Sequence, residues 1–225
     1  MMGEVGTAYA GCRARITDLV GGLDEVRAST MVPTCPEWSV HDVVAHLAGG
    51  VEDAMTGRLE GLGTDRWTAA QVEVRRHTPV TQIVKEWNGR APVFEKFLDP
   101  AGDLGRQAVA DIASHEHDIR TALSEPGARD SDAVRIALGW SAAQLIASAA
   151  AHGLALRIRS HEGLDLGRAR ADVTLAGSAF ELLRTITGRR SEEQIREMQW
   201  IGDCEPVIPA FSWFTLRPAE RRIDE

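Results

Sequence analysis

The sequence predicts a mainly helical protein: an up-down helical bundle over residues 1–152, followed by a small α+β domain over 153–225. Three observations carry this. Apolar residues recur at helical spacing between Pro- and Gly-marked breaks as far as His152. After Gly153 the pattern switches to the period-2 alternation of half-buried strands. Ala, Leu, Val and Ile dominate the apolar set while aromatics are only 5% of the chain, a mixture that costs little in a helix.

The elements follow in order. Ile16, Leu19, Val20 and Leu23 mark a first helix over about 7–27. The segment VPTCPEWSV then breaks the chain with Pro33 and Pro36. Ser39 is placed to cap the next helix, with Asp42 three residues on completing a capping-box pair. Val40, Val43, Val44, Leu47 and Val51 form that helix's apolar stripe, and Gly49–Gly50 either interrupts it or thins it for close packing. Further helical patterns cover 67–76, 79–98, 104–124 and 130–152, separated at Thr78–Pro79, Asp99–Pro100 and Glu125–Pro126–Gly127. Beyond them LALRIRS and ADVTL read as strands and Ala179–Ile186 as a helix stopped by Gly188. SEEQIREM reads as a short helix capped by Ser191.

Composition limits the function. A net charge of −8, with two Lys (Lys85 and Lys96) among the 25 basic residues, argues against a broad phosphate-neutralising surface and hence against nucleic acid. Cys12, Cys35 and Cys204 are odd in number and widely spaced, so neither a disulfide scaffold nor a cysteine zinc finger is expected. The first twenty residues lack the basic-then-apolar pattern of a signal peptide. The apolar run around 142–151 is interrupted by Gln144 and Ser148 and reads as too short for a bilayer. A cytoplasmic protein without a membrane partner is the expectation.

The densest group of chemistry-bearing residues is Asp111-Ile-Ala-Ser-His115-Glu-His117-Asp118. On a helix Asp111, His115 and Asp118 share one face, beside the apolar stripe of Ile112 and Ile119, whereas His117 points away. A carboxylate and an imidazole one turn apart can grip one metal ion. His46, on the flank of the preceding stripe, is the natural third ligand, and two His with one carboxylate leave an open position of the catalytic zinc type. The same spacing also suits an ion pair at a helix surface, and His46 equally suits a hydrogen-bonded core histidine. Cys35 reads as a small buried residue, since no base stands at a recognisable offset.

The segment VPTCPEWSVHDVVAHLAG resembles the opening signature of the mycothiol-dependent maleylpyruvate isomerase-like family, in the DinB-like helical-bundle superfamily. A second family motif, an acidic residue, three spacers, His, two spacers and Asp, is matched by Asp111, His115 and Asp118. A third, FELLRTITGRRSEEQ…WIGD, is similar to the family's sterol-carrier-like α+β domain. Together the three ordered motifs cover nearly the whole chain.

The resemblance implies a DinB-like four-helix bundle and metal ligands at His46, Asp111 and His115. Asp111 departs from the pattern, because the isomerase proper carries Glu there. It also implies an arginine, aligned with Arg189, that would clamp a carboxylate with two parallel hydrogen bonds; a helix-end cation satisfying the last carbonyls is the competing role. Asp118 would orient His115 or a neighbouring backbone group from behind. The implied activity uses zinc or another divalent metal, with mycothiol or a similar small thiol as cosubstrate. The chemistry is thiol transfer to an electrophile or isomerisation by reversible thiol addition, on an electrophilic or carboxylate substrate, by a monomer or homodimer. A metal-dependent hydrolase and a non-enzymatic small-molecule binding module are the alternatives.

Overall fold

The computed structural model describes residues 2–225, which divide into two compact units, 2–127 and 128–225. The first holds helices α1 (Glu4–Val20), α2 (Glu25–Ala28), α3 (Val40–Thr56), α4 (Asp65–Arg75), α5 (Val80–Leu98) and α6 (Asp103–Leu123). A short hairpin, β1 (Met31–Val32) with β2 (Cys35–Ser39), lies between α2 and α3. Helices α1, α3, α5 and α6 pack on one another around Ile16, Val20, Val44, Leu47, Ile83, Trp87, Ile112 and Ile119, all buried, and α4 lies against α3.

The expected first helix over 7–27 is in fact two. It stops at Val20, where Gly21–Gly22 interrupts the chain, and α2 restarts from an Asp24 cap. The capping box of Ser39 and Asp42 forms as expected and sets the start of α3. Of the two readings of Gly49–Gly50, close packing is what occurs, because α3 runs through both glycines. The segment expected as a simple break at VPTCPEWSV contains the β1–β2 hairpin, with Met31 opposite Ser39.

The second unit holds α7 (Asp132–Ala151) and a four-stranded sheet of β3 (Leu156–Ser160), β4 (Asp165–Gly167), β5 (Val173–Gly177) and β6 (Gln199–Ile201). Helices α8 (Ala179–Ile186) and α9 (Glu192–Glu197) and a 3₁₀ helix over Glu205–Phe211 complete it. The strand order is β4-β3-β5-β6, with β3 parallel to β5 and both outer pairs antiparallel. The boundary expected near residue 152 falls instead at residue 127. Helix α7 packs on α8, β3, β4 and the 3₁₀ helix, so its periodicity belongs to the second core. By length and composition α7 would reach across a bilayer, further than the interrupted run at 142–151 implied, and its Ala137, Leu138, Ala142 and Leu145 are buried.

Buried charge in the second unit is concentrated at one junction. Arg184 is wholly buried and holds Glu225 through Nε at 2.8 Å and through Nη2. Arg190 donates to the same Glu225 at 2.9 Å and to both oxygens of Glu181. Burial opposes ionisation of Glu225, but the two guanidiniums outweigh it and hold its pKa below the usual carboxylate value. Gln194, in a capping box with Ser191, also donates to the carbonyl of Ile223 and fastens the same segment.

Candidate metal centre

Two helices supply the site. The capping box starts α3 so that its apolar stripe faces the bundle, and His46 beside Leu47 is carried inward with it. On α6, every residue from Ile112 to Ile119 is buried, which brings His115 and Asp118 into the interior and leaves Asp111 at the edge. Packing of α3 on α6 then joins the two sets.

The resulting geometry is compact. Nε2 of His46 lies 3.4 Å from one oxygen of Asp111, and Nε2 of His115 lies 3.6 Å from the other. One donor atom from each of the three falls within 4.8 Å of the others. Both imidazoles are buried, whereas the Asp111 side chain is 46% exposed, so the carboxylate forms the solvent side of the group. Zinc–ligand bonds of about 2.0–2.2 Å at tetrahedral angles place neighbouring donors roughly 3.3 Å apart, close to both separations.

The inner nitrogens are engaged elsewhere. Nδ1 of His46 meets Oε1 of Gln71 at 2.7 Å. Nδ1 of His115 lies 3.0 Å from Oδ2 of Asp118, a charge contact rather than a well-aligned hydrogen bond. Asp118 is fully buried; it accepts from the Thr34 hydroxyl at 2.7 Å and faces the Cys35 sulfur at 3.8 Å. Each outward nitrogen is thus turned toward Asp111 by a partner behind the ring, the arrangement that orients metal-ligating imidazoles. Two neutral imidazoles and one carboxylate, so held, fit a divalent ion with coordination to spare.

Electrostatics act on the same atoms. Burial opposes protonation of His46, but the Asp111 charge and the hydrogen bonds to Asp111 and Gln71 outweigh it and raise its pKa above the ordinary value. A proton and a metal ion compete for that nitrogen. The indole of Trp38, from β2, is stacked against His115 with ring centres 6.0 Å apart and lies 5.2 Å from His46. Trp67 of α4 meets His46 edge-on.

His46, Asp111, His115 and Asp118 are therefore brought together, and His117 is buried outside the group. Gln71, Trp38 and Thr34 were not legible as parts of it. Gly49–Gly50 was the one local sign that another helix approaches α3. None of the three cysteines is in a disulfide. Burial and the neighbouring Glu116 carboxylate push the Cys12 thiol well up, so it is inert. Cys35, half-buried, combines with His115 and Asp118 in a second group of close donors, in which Asp118 is already the acceptor for Thr34 and Cys35.

Arg189 lies in the second unit, buried, with Nη1 donating to the carbonyl of Thr187 at 2.6 Å. That contact is of the helix-end kind. Gly188 before it has φ +81°, and a Cβ there would stand 2.4 Å from the carbonyl oxygen of Arg217.

The bundle thus brings two imidazoles and a carboxylate together from two helices as a group that could hold a metal ion. The sequence model described as the mycothiol maleylpyruvate isomerase N-terminal domain matches residues 9–183, and the chain belongs to that family. Among solved structures, the chain is similar to the crystal structure of the mycothiol-dependent maleylpyruvate isomerase, with a TM-score of 0.53 and 11% identity. The match covers 85% of this chain and 91% of that one, a likeness of fold. No curated protein matches the chain in sequence.

Proposed function

We propose that the protein is a divalent-metal enzyme, zinc foremost, that uses mycothiol or a similar small thiol in the cytoplasm. It would transfer the thiol to an electrophile or isomerise a substrate by reversible thiol addition. The observation that carries this reading is the convergence of His46 Nε2, His115 Nε2 and the Asp111 carboxylate, each imidazole backed by a side chain behind it. Membership of the mycothiol maleylpyruvate isomerase family supplies the thiol.

A divalent ion held by these three residues would lower the pKa of a bound cosubstrate sulfur, so that thiolate is populated near neutral pH. The chain's own residues do the rest. His46 and His115 present their outward nitrogens from a buried wall, and Trp38 keeps water from the ring faces. Half-exposed Asp111 marks the side from which a thiol enters. In the isomerase version, thiolate adds to a conjugated double bond and leaves a single bond that rotates. Expulsion of the same thiolate then restores the double bond, so no other reactant is consumed. Arg189 is proposed as the group that holds a substrate carboxylate.

The test is metal analysis of the purified chain, followed by turnover with and without mycothiol on electrophiles and on an unsaturated dicarboxylate. About one ion per chain and thiol-dependent turnover are expected. A chain that carries no metal and binds no added zinc overturns the proposal; turnover independent of thiol makes the protein a hydrolase instead. Arg189→Ala should lower catalytic efficiency by about 30–4,000-fold, roughly 2–5 kcal/mol of lost charge-assisted contact, at unchanged zinc content.

A further inference from the structure

We infer that Gln71 is the positioning residue for His46: held by Asp53, it fixes the imidazole in the tautomer whose Nε2 lone pair faces Asp111. The inference rests on the metal-centre reading for its purpose, but not for its geometry. An unrestrained neutral imidazole can carry its proton on either nitrogen, and only the bare nitrogen can ligate.

The atoms that fix the amide have no choice of role. A carboxylate only accepts hydrogen bonds, so the Gln71 group 2.8 Å from Oδ2 of Asp53 is the amide nitrogen. The amide oxygen is thereby turned to His46, 2.7 Å from Nδ1. An amide oxygen also only accepts, so Nδ1 must carry a proton, and in the neutral ring Nε2 is left with the lone pair. Asp53 is itself held: Nε of Arg58 donates to its other oxygen at 2.8 Å. The direction of the amide is therefore set by a chain of contacts outside the site.

Helix packing places Gln71 where it can act. A Cβ on Gly49 would stand 2.5 Å from Cβ and 2.7 Å from Cγ of Gln71, so α4 reaches His46 across a bare stretch of α3. Gln71 is 4% exposed, which shields its hydrogen bonds from water. The partners behind the two imidazoles differ in charge. Asp118 brings a carboxyl group to His115, whereas Gln71 orients His46 with an amide and keeps the Asp53 carboxyl one residue further off. Both rings are directed while one buried carboxylate, not two, sits directly behind them.

The experiment uses the full chain, with His46 followed by imidazole nitrogen NMR at a pH where the ring is neutral, and zinc affinity measured by chelator competition. The metal-free wild type should show His46 protonated on Nδ1. Gln71→Met, similar in shape but unable to accept in the same way, should give a mixed or reversed tautomer and roughly 10–100-fold weaker zinc binding. Asp53→Asn, at the rim of the fold, lets the amide turn over and should give an intermediate tautomer mixture. It serves as the readout if Gln71→Met fails to fold. A His46 tautomer unchanged in the foldable variants overturns the inference. If wild type binds no zinc yet the tautomer follows Gln71 and Asp53, the inference stands and the metal reading falls.

Discussion

The two units bury polar groups in opposite ways. In the second, Arg184, Arg190, Glu181 and Glu225 satisfy one another, every cation facing a carboxylate within the junction, and Gln194 ties down the backbone of Ile223 beside them. In the first, Gln71 and Asp118 stand behind His46 and His115, while the two outward nitrogens converge on a half-exposed Asp111 at 3.4 and 3.6 Å. Buried charge by itself therefore says little about function. What separates a site from a staple is donor capacity that the fold directs but does not consume.

Substitutions can break this contrast from either side. The largest effect expected is at the histidines: His46→Ala or His115→Ala should abolish zinc binding, measured on protein whose circular dichroism shows an intact bundle. Helices α3 and α6 are packed through Leu47, Val51, Ile112 and Ile119, so each survives the loss. Next comes the staple. Arg184→Met leaves Glu225 with one buried guanidinium and should cost about 3–5 kcal/mol in urea unfolding, with zinc affinity unmoved. Arg190 is buried between Glu181 and Glu225, so Arg190→Ala should lower stability as well.

Smaller changes sharpen the contrast. Asp111→Glu adds one methylene at an exposed edge with room for it, and should hold or strengthen zinc. Asp111→Ala should weaken it by at least the roughly 10–100-fold seen for outer partners of metal ligands. Chelator competition on the two variants checks both signs. The smallest effect concerns pH. Glu225 has a folded pKa below its unfolded one, so its contribution is complete above the usual carboxylate value of about 4.3 and fades as pH falls through the lowered one. An acid titration of unfolding midpoint should show this loss in wild type and a shallower one in Glu225→Gln.

Much of the fold was legible because its signals are local. A capping box, an i, i+3, i+4 stripe and an acid–His–Asp face are each written within two or three helical turns, and α3 and α6 formed accordingly. What escaped depends on partners distant in sequence. Periodicity shows that α7 buries a face, but not which core receives it, and the boundary moved from 152 to 127 for that reason. Gln71 carries no pattern of its own; its role exists because Gly49 admits α4. Thr34 and Trp38 sat in a segment whose prolines announced a break, and prolines do not disclose that the hairpin folds back over α6.

The histidines come from helices separated by two others along the chain. An unfolded chain holds their donors at the ends of a long loop, where they have no common position to offer. An ion that binds only the assembled bundle therefore adds its binding free energy to the folding of the first unit, about 2.7 kcal/mol when the free ion stands at a hundred times its dissociation constant. The second unit, its charges already matched, gains nothing by the same route. With the proposed ion bound, stability of one half of this protein would be a property of the surrounding solution as much as of the chain, and its melting point would read out how much metal is available.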